Sequence, residues 1–235
     1  MPNTDQLTSP PASTGKRTSP PKPNKVFGPR CLAPLLDVEA GQTVLFIGHD
    51  QTLTRLVKQR GAVPLSVVTS KPKAGKSTEG RIHLESPEAP LPLEDASVDH
   101  IVAASANKAR WTPERLAELA RVAAPGATLL FGAASRARFP LRGSAQTPRG
   151  GRRLLASAGF TGTRLYGVRH DFRDPRFLVP LDRPGARTWF FSSIYPPQTP
   201  RHTRVAALLA RLPRTWLDHV YFPNVLFVAT RERGL

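Results

Sequence analysis

Residues 91–131 constrain the fold of this chain more than any other segment. The stretch LPLEDASVDHIVAASANKARWTPERLAELARVAAPGATLLF reads in order as an acidic turn, an apolar strand, an amphipathic helix, a Pro-Gly turn and a second apolar strand. Thr112 is a predicted N-cap, Pro113 suits the first helical position, and Pro125-Gly126 is predicted to end the helix. Apolar strands that alternate with helices are typical of a parallel sheet covered on both faces.

The same alternation continues on both sides of this segment. The predicted strands lie at residues 44–47, 65–69, 81–84, 98–104, 127–131, 162–168 and 225–229. Further helices are predicted at residues 31–36, 51–60, 152–158 and 201–212. The sequence therefore predicts an α/β fold with a doubly wound, mostly parallel, seven-stranded sheet.

Two segments depart from this regular pattern. Residues 1–27 are rich in proline and basic side chains with few large apolar residues, which predicts a disordered basic tail before a single domain at residues 28–235. Residues 170–224 form a long insert before the last strand, and long ordered segments of this kind are usually functional. Because the insert holds several Trp, Tyr and Phe residues, it is predicted to fold and to cap the substrate.

Composition narrows the class of protein. The formal net charge is +17, and after Lys108 every basic residue is an arginine. Scattered arginines without lysine are what a GC-rich genome would encode on an ordinary protein surface. They could also bind an anionic partner, and both interpretations stay open. The chain has one cysteine, no Cys/His pair with metal-ligand spacing, no apolar run of membrane-spanning length and no secretory signal, so a cytoplasmic, metal-free protein is expected.

Two sequence patterns resemble those of class I S-adenosylmethionine-dependent methyltransferases of the type 11 kind. LPLEDASVDHIVA is similar to the family's "LPF-x-D-x-S-F-D-x-V", and ELARVAAPGATLLF is similar to its "E-x-x-R-V-L-x-P-G-G-x-L". The resemblance covers residues 40–165 and the last strand. It implies a Rossmann-like methyltransferase fold whose shared residues mostly hold strands and turns together.

The resemblance also implies where S-adenosylmethionine would bind, although this cofactor motif is degenerate. Of the Gly-x-Gly turn after the first strand, only Gly48 remains, and Asp50 and Thr52 stand where glycines are expected. Thr69 and Ser70 replace the acidic residue that holds the ribose, and Glu88 stands one residue from the position of the adenine contact. The predicted cofactor contacts are Gly48, Asp50, Thr69, Ser70, Glu88, Leu91 and Ser105.

Few residues are candidates for catalysis. His49 and Asp50 form a polar pair at the mouth of the expected cleft, where they could act as a general base or bind substrate, or simply form a solvated turn. His100 lies within a strand pattern and is predicted to be structural. Methyl transfer depends mainly on proximity and alignment, so it does not require an obvious base.

Three functions remain open. The first is methyl transfer to a small molecule or a peptide-derived natural product. The second is a methyltransferase-like protein that has become a binding partner or performs other chemistry in the same cleft, such as cyclisation. The third is an RNA-binding or RNA-modifying protein, suggested by the net positive charge. The oligomeric state does not follow from the sequence.

Overall fold

The computed structural model describes residues 29–48, 50–68, 80–86, 89–104, 111–134, 147–172, 175–194, 201, 204 and 222–232. Its eight strands are β1 (Thr43–Ile47), β2 (Val63–Val68), β3 (Arg81–His83), β4 (Val98–Ala103), β5 (Ala123–Ala134), β6 (Phe160–His170), β7 (Pro175–Pro180) and β8 (Asn224–Arg231). Its α-helices are α1 (Gln51–Gln59), α2 (Pro113–Val122), α3 (Pro148–Ser157) and α4 (Pro184–Ile194), preceded by a 3-10 helix at Pro29–Leu35. The predicted tail at residues 1–27 lies outside the described part.

The strands form one sheet in the order β3-β2-β1-β4-β5-β8-β6-β7. Strands β1 to β5 are parallel to their neighbours, whereas β8 runs antiparallel to both β5 and β6. This confirms the predicted doubly wound, mostly parallel α/β class.

The sheet has eight strands where the sequence predicted seven. The additional strand, β7, pairs antiparallel with β6 and lies inside the segment predicted as an insert. Prolines at both of its ends obscure the strand pattern, and they are tolerated because β7 is the edge of the sheet. Helix α4 was also missed, because its apolar residues form one short cluster without helical spacing. The described first part of the insert therefore extends the sheet, and a capping role for residues 170–224 stays a prediction.

Two helical layers cover the sheet. The 3-10 helix and α1 pack on one face, where they bury Leu53 and Val57 against Phe46 and Val102. Helices α2, α3 and α4 pack on the other face, with Leu116, Leu119, Leu155, Phe190 and Phe191 in the core. Of the predicted helix at residues 201–212, the described residues 201 and 204 are helical.

The predicted start of α2 is confirmed and its predicted end is corrected. Thr112 caps the helix by accepting a hydrogen bond from the Arg115 backbone amide at 3.2 Å. The helix ends at Val122, before Pro125-Gly126, and the Pro-Gly turn lies inside β5 as a bulge. The chain can return to the strand this early because the register with β4 shifts across the turn.

A clamp between Glu118 and Arg121 holds the loop that leads from β3 to β4. Arg121 donates to the carbonyl oxygens of Leu91 and Leu93, each at 3.0 Å, and pairs with Asp95. Glu118 accepts from Arg121 at 2.8 and 2.9 Å and from the Leu91 backbone amide at 2.7 Å. The E-x-x-R pattern thus serves a structural role, by fixing one loop to one helix.

The clamp predicts a pH-dependent stability. The hydrogen bond from Arg121 lowers the pKa of Glu118, so the carboxylate stabilises the fold fully above its unfolded value of about 4.5, and this contribution is lost as the pH falls through the lower folded pKa. Glu118→Gln should cost about 1.5–3 kcal/mol at neutral pH, the usual worth of hydrogen bonds to a charged group. In urea unfolding, its difference from wild type should shrink below pH 4.5. Glu94→Gln in the same loop is the exposed control, and an equal effect there would contradict the clamp.

His100 lies at the amino end of β4, as expected of a structural histidine. Its Nε2 is 3.0 Å from Oε1 of Gln42, and the ring is buried. Burial lowers the pKa of His100, while the nearby carboxylates of Asp99 and Asp37 act in the opposite direction. Because Gln42 directly precedes β1, the His100 ring lies at the amino end of the sheet, opposite the carboxyl edge.

Candidate cofactor-binding edge

The topology places a crevice between the carboxyl ends of β1 and β4. From β1 the chain builds the sheet outward through β2 and β3, and it then returns to add β4 and β5 on the other side. Open α/β sheets bind ligands at such a reversal of strand order. Gly48 directly follows β1 and Ala104 directly follows β4, so these two residues border the crevice.

Gly48 has a backbone that suits glycine and space beside it. Its φ of +99° lies in the left-handed region, which L side chains rarely adopt. Its amide donates to the carbonyl oxygen of Val67 in β2 at 3.0 Å, which ties the turn to the sheet. A Cβ built at Gly48 would meet no heavy atom within 4 Å among the described residues. The turn is therefore tied to β2, and no described residue fills the space beside Gly48.

Asp50 is the N-cap of α1. Its Oδ1 accepts a hydrogen bond from the Leu53 backbone amide at 3.0 Å, and its carbonyl oxygen accepts from the Thr54 hydroxyl at 2.6 Å. The residue is 8% exposed. Oδ2 has no hydrogen-bond partner among the described residues, and the bond to Oδ1 fixes the carboxylate in position.

Leu91 lies in the core rather than on an open wall. It is 3% exposed, and its backbone is held by the clamp of Glu118 and Arg121. A side chain so deeply buried offers little area to a ligand. Its predicted contact with a cofactor remains a prediction, and the structure assigns it a packing role.

The other predicted site residues lie outside the described residues. They are His49, Thr69, Ser70, Glu88 and Ser105. The structure therefore brings Gly48 and Asp50 together at one edge and leaves the predicted roles of the other five as expectations.

Two aromatic residues that the sequence patterns did not single out, Trp111 and Phe172, lie buried beside the ends of β4 and β5, in the cores on opposite faces of the sheet. Trp111 is 6% exposed and meets Phe131 edge-on at 5.0 Å, and its Nε1 has no hydrogen-bond partner among the described residues. The Phe172 ring would contact a Cβ at Gly132. A glycine inside a strand often marks a place where another part of the chain comes close to the backbone. Gly132 was therefore the sequence signal for the ring beside it. Both rings thus pack the core beneath the β4–β5 side of this edge.

The described residues show neither a metal site nor a membrane helix. They contain no group of three or more His, Cys, Asp or Glu side chains placed to hold a metal ion. No helix in the same part of the chain is long and apolar enough to cross a membrane.

Comparison with known proteins identifies the fold. No protein-family model matches the chain, and no curated protein sequence matches it. Among solved structures, an S-adenosylmethionine-dependent methyltransferase from Archaeoglobus fulgidus is 15% identical, with a TM-score of 0.55 over 86% of this chain and 90% of that one. A methyltransferase from Haloferax volcanii, solved with the Trm112 activator, is 20% identical, with a TM-score of 0.51 over 87% and 89%. The [4+2]-cyclase SpnF is 14% identical, with a TM-score of 0.53 over 88% and 81%.

The chain has the class I methyltransferase fold. Within that fold, the described residues that match the family patterns have structural roles: Glu118 and Arg121 clamp a loop, and Gly126, with a φ of +88°, forms the bulge inside β5. At the carboxyl edge the methyltransferase fold keeps its glycine turn at Gly48. The family patterns therefore describe the scaffold of this chain, and its ligand contacts stay predictions.

Proposed function

We propose that this protein binds S-adenosylmethionine in the crevice beside Gly48 and transfers its methyl group to a small molecule or a peptide-derived natural product. One observation carries the proposal. An open, left-handed glycine turn follows the first strand at the reversal of strand order, which is where this type of sheet binds ligands.

The described residues fit the cofactor's methionine moiety, which carries an ammonium and a carboxylate group. Without a Cβ at Gly48, a ligand can approach the backbone closely. The Asp50 carboxylate, fixed by the Leu53 amide, can bind the ammonium group through Oδ2. When bound, the cofactor supplies a methyl group on a positively charged sulfur. The protein's task is then to exclude water and to align an acceptor atom with that methyl group.

Isothermal titration calorimetry tests the proposal directly. S-adenosylmethionine and S-adenosylhomocysteine should each bind with one site per chain, because both carry the same methionine and adenosine groups. Absence of binding by either compound at millimolar concentration would refute the proposal.

Asp50→Asn separates the two roles of this residue. Asparagine is as good an N-cap as aspartate, so the thermal stability should change little. Cofactor affinity should fall by roughly tenfold, since a charge-assisted bond worth about 1.5–3 kcal/mol becomes a neutral one. Thr112→Asn, at the N-cap of α2, is the matched control and should leave the affinity unchanged. A loss of stability in Asp50→Asn without a loss of affinity would leave only the capping role.

A second candidate is a cofactor-binding protein that performs other chemistry in the same cleft. The likeness to the cyclase SpnF supports it at the level of the fold. Incubation with methyl-labelled S-adenosylmethionine and a metabolite extract of the source organism distinguishes the two. Label in a product supports methyl transfer, whereas cofactor binding without label transfer supports the second candidate.

A further inference from the structure

The charge of the chain is strongly asymmetric between Arg121 and Asp171. This stretch holds no acidic residue, and it holds eight arginines: Arg136, Arg138, Arg142, Arg149, Arg152, Arg153, Arg164 and Arg169. Along the sequence they look scattered. Three of them fall within α3, at positions separated by three and four residues.

Helix α3 gathers these three arginines on one exposed face. Residues three and four apart are neighbours on a helix surface, so Arg149 lies beside both Arg152 and Arg153, and all three are exposed. The opposite side of the helix is buried, with Leu155 in the core and the Phe227 ring beneath Gly151. We call Arg149, Arg152 and Arg153 the α3 arginine face.

Nothing in the described part of the chain neutralises the α3 arginine face. None of its members has an ion-pair partner among the described residues, and α3 itself contains no acidic side chain. Like charges at this spacing destabilise a helix by a few tenths of a kcal/mol per pair. Arg231 provides a contrast, since it donates to the carbonyl oxygens of Ala158 and Gly159 at the end of α3 and so has a structural role.

We propose that the α3 arginine face binds the phosphate backbone of a nucleic acid. The planar guanidinium group is suited to bidentate contact with phosphate, and the face extends about 6 Å along the helix axis, close to the axial rise of two nucleotides in one strand. Contacts to phosphates carry no sequence information, so RNA and DNA of equal length should bind alike.

An anionic membrane is the less suitable partner. A helix that lies on a membrane needs an apolar face to insert, and the apolar side of α3 is buried against the sheet. Among the described residues, the large exposed apolar side chains are Val63 on β2 and Trp189 on α4, which do not form a patch on α3. The exposed side of α3 therefore offers a partner charged groups and no large apolar side chain among the described residues.

The inference stands independently of methyl transfer. Helix α3 follows β5, so its amino end lies at the same edge of the sheet as the crevice beside Gly48. The α3 arginine face shares no residue with the crevice, whose proposed contacts are Gly48 and Asp50. The face can consequently be tested in the absence of cofactor.

Fluorescence anisotropy with a labelled 20-nucleotide RNA and a DNA of the same sequence tests the proposal. The triple variant Arg149→Gln, Arg152→Gln, Arg153→Gln should weaken binding about tenfold or more at low salt. Its slope of log affinity against log salt should be smaller by about 2, as expected for the loss of three contacts to a single strand. Thermal melting should show that the variant stays folded, because its substitutions relieve repulsion.

A second triple variant with the same loss of charge provides the control. Arg55→Gln, Lys58→Gln and Arg81→Gln remove three exposed basic residues from α1 and β3. If both triple variants weaken binding equally, net charge alone drives it and the proposal fails. It also fails if the oligonucleotides do not bind, or if vesicles containing phosphatidylserine bind through the α3 arginine face in their place.

Discussion

Gly48→Val should abolish binding of S-adenosylmethionine while the protein stays folded. The φ of +99° at this position is strained for any L residue, and a β-branched side chain is among the worst suited to it. No described residue fills the space beside Gly48, so valine should be accommodated, but its methyl groups would occupy the volume that the proposal gives to the cofactor. Calorimetry should detect no binding at millimolar cofactor.

Gly41→Val separates backbone strain from loss of the site. Gly41 also has a positive φ, +84°, and a Cβ there would likewise meet nothing within 4 Å. It precedes β1 and therefore lies at the opposite end of that strand. Both variants should lose about 1–3 kcal/mol of stability, the usual cost of such strain, and only Gly48→Val should lose affinity. Unchanged cofactor affinity in Gly48→Val would place the site elsewhere. An equal loss of cofactor affinity in Gly41→Val would show that backbone strain alone causes the loss.

Gly132→Ala should destabilise the fold more than an ordinary glycine substitution. A Cβ at this position would lie 2.5 Å from the carbonyl oxygen of Ala104, 2.8 Å from its Cα and 2.9 Å from Cζ of Phe172. Two of these atoms belong to the backbone at the end of β4, which cannot move without separating β4 from β5. Overpacking of this kind costs about 1–3 kcal/mol, and the rigid neighbour places the expected value at the upper end.

Two further variants show which contact causes this loss of stability. Gly185→Ala introduces the same methyl group on α4, where it meets nothing, and should be neutral or slightly stabilising. Gly132→Ala combined with Phe172→Leu should not recover the stability, because the contacts with the Ala104 backbone remain. Urea unfolding measures all of them. A stability of Gly132→Ala equal to that of Gly185→Ala would contradict the close approach.

The cofactor edge was only partly predictable from the sequence. Gly48 could be selected because a strand followed by glycine is a local pattern, and the structure places it directly after β1 with a left-handed backbone. The capping role of Asp50 was missed, although the sequence carries the signal for it, an aspartate directly before an amphipathic segment. Leu91 matched a family pattern, and burial gives it a packing role. A pattern match does not distinguish a ligand contact from a core contact, because both favour the same apolar residue.

The sequence by itself determined the α/β class, the approximate positions of β1 to β5 along the chain, and the capped start of α2. These features depend on apolar runs, on helical spacing and on single residues such as Thr112, all of which act within a few positions along the chain. Only the tertiary structure decided that β7 extends the sheet and that Gly132 and Gly151 lie under aromatic rings. Pairing at a sheet edge and close approach between strands depend on residues far apart in the chain, and no local pattern records which distant partner a residue will meet.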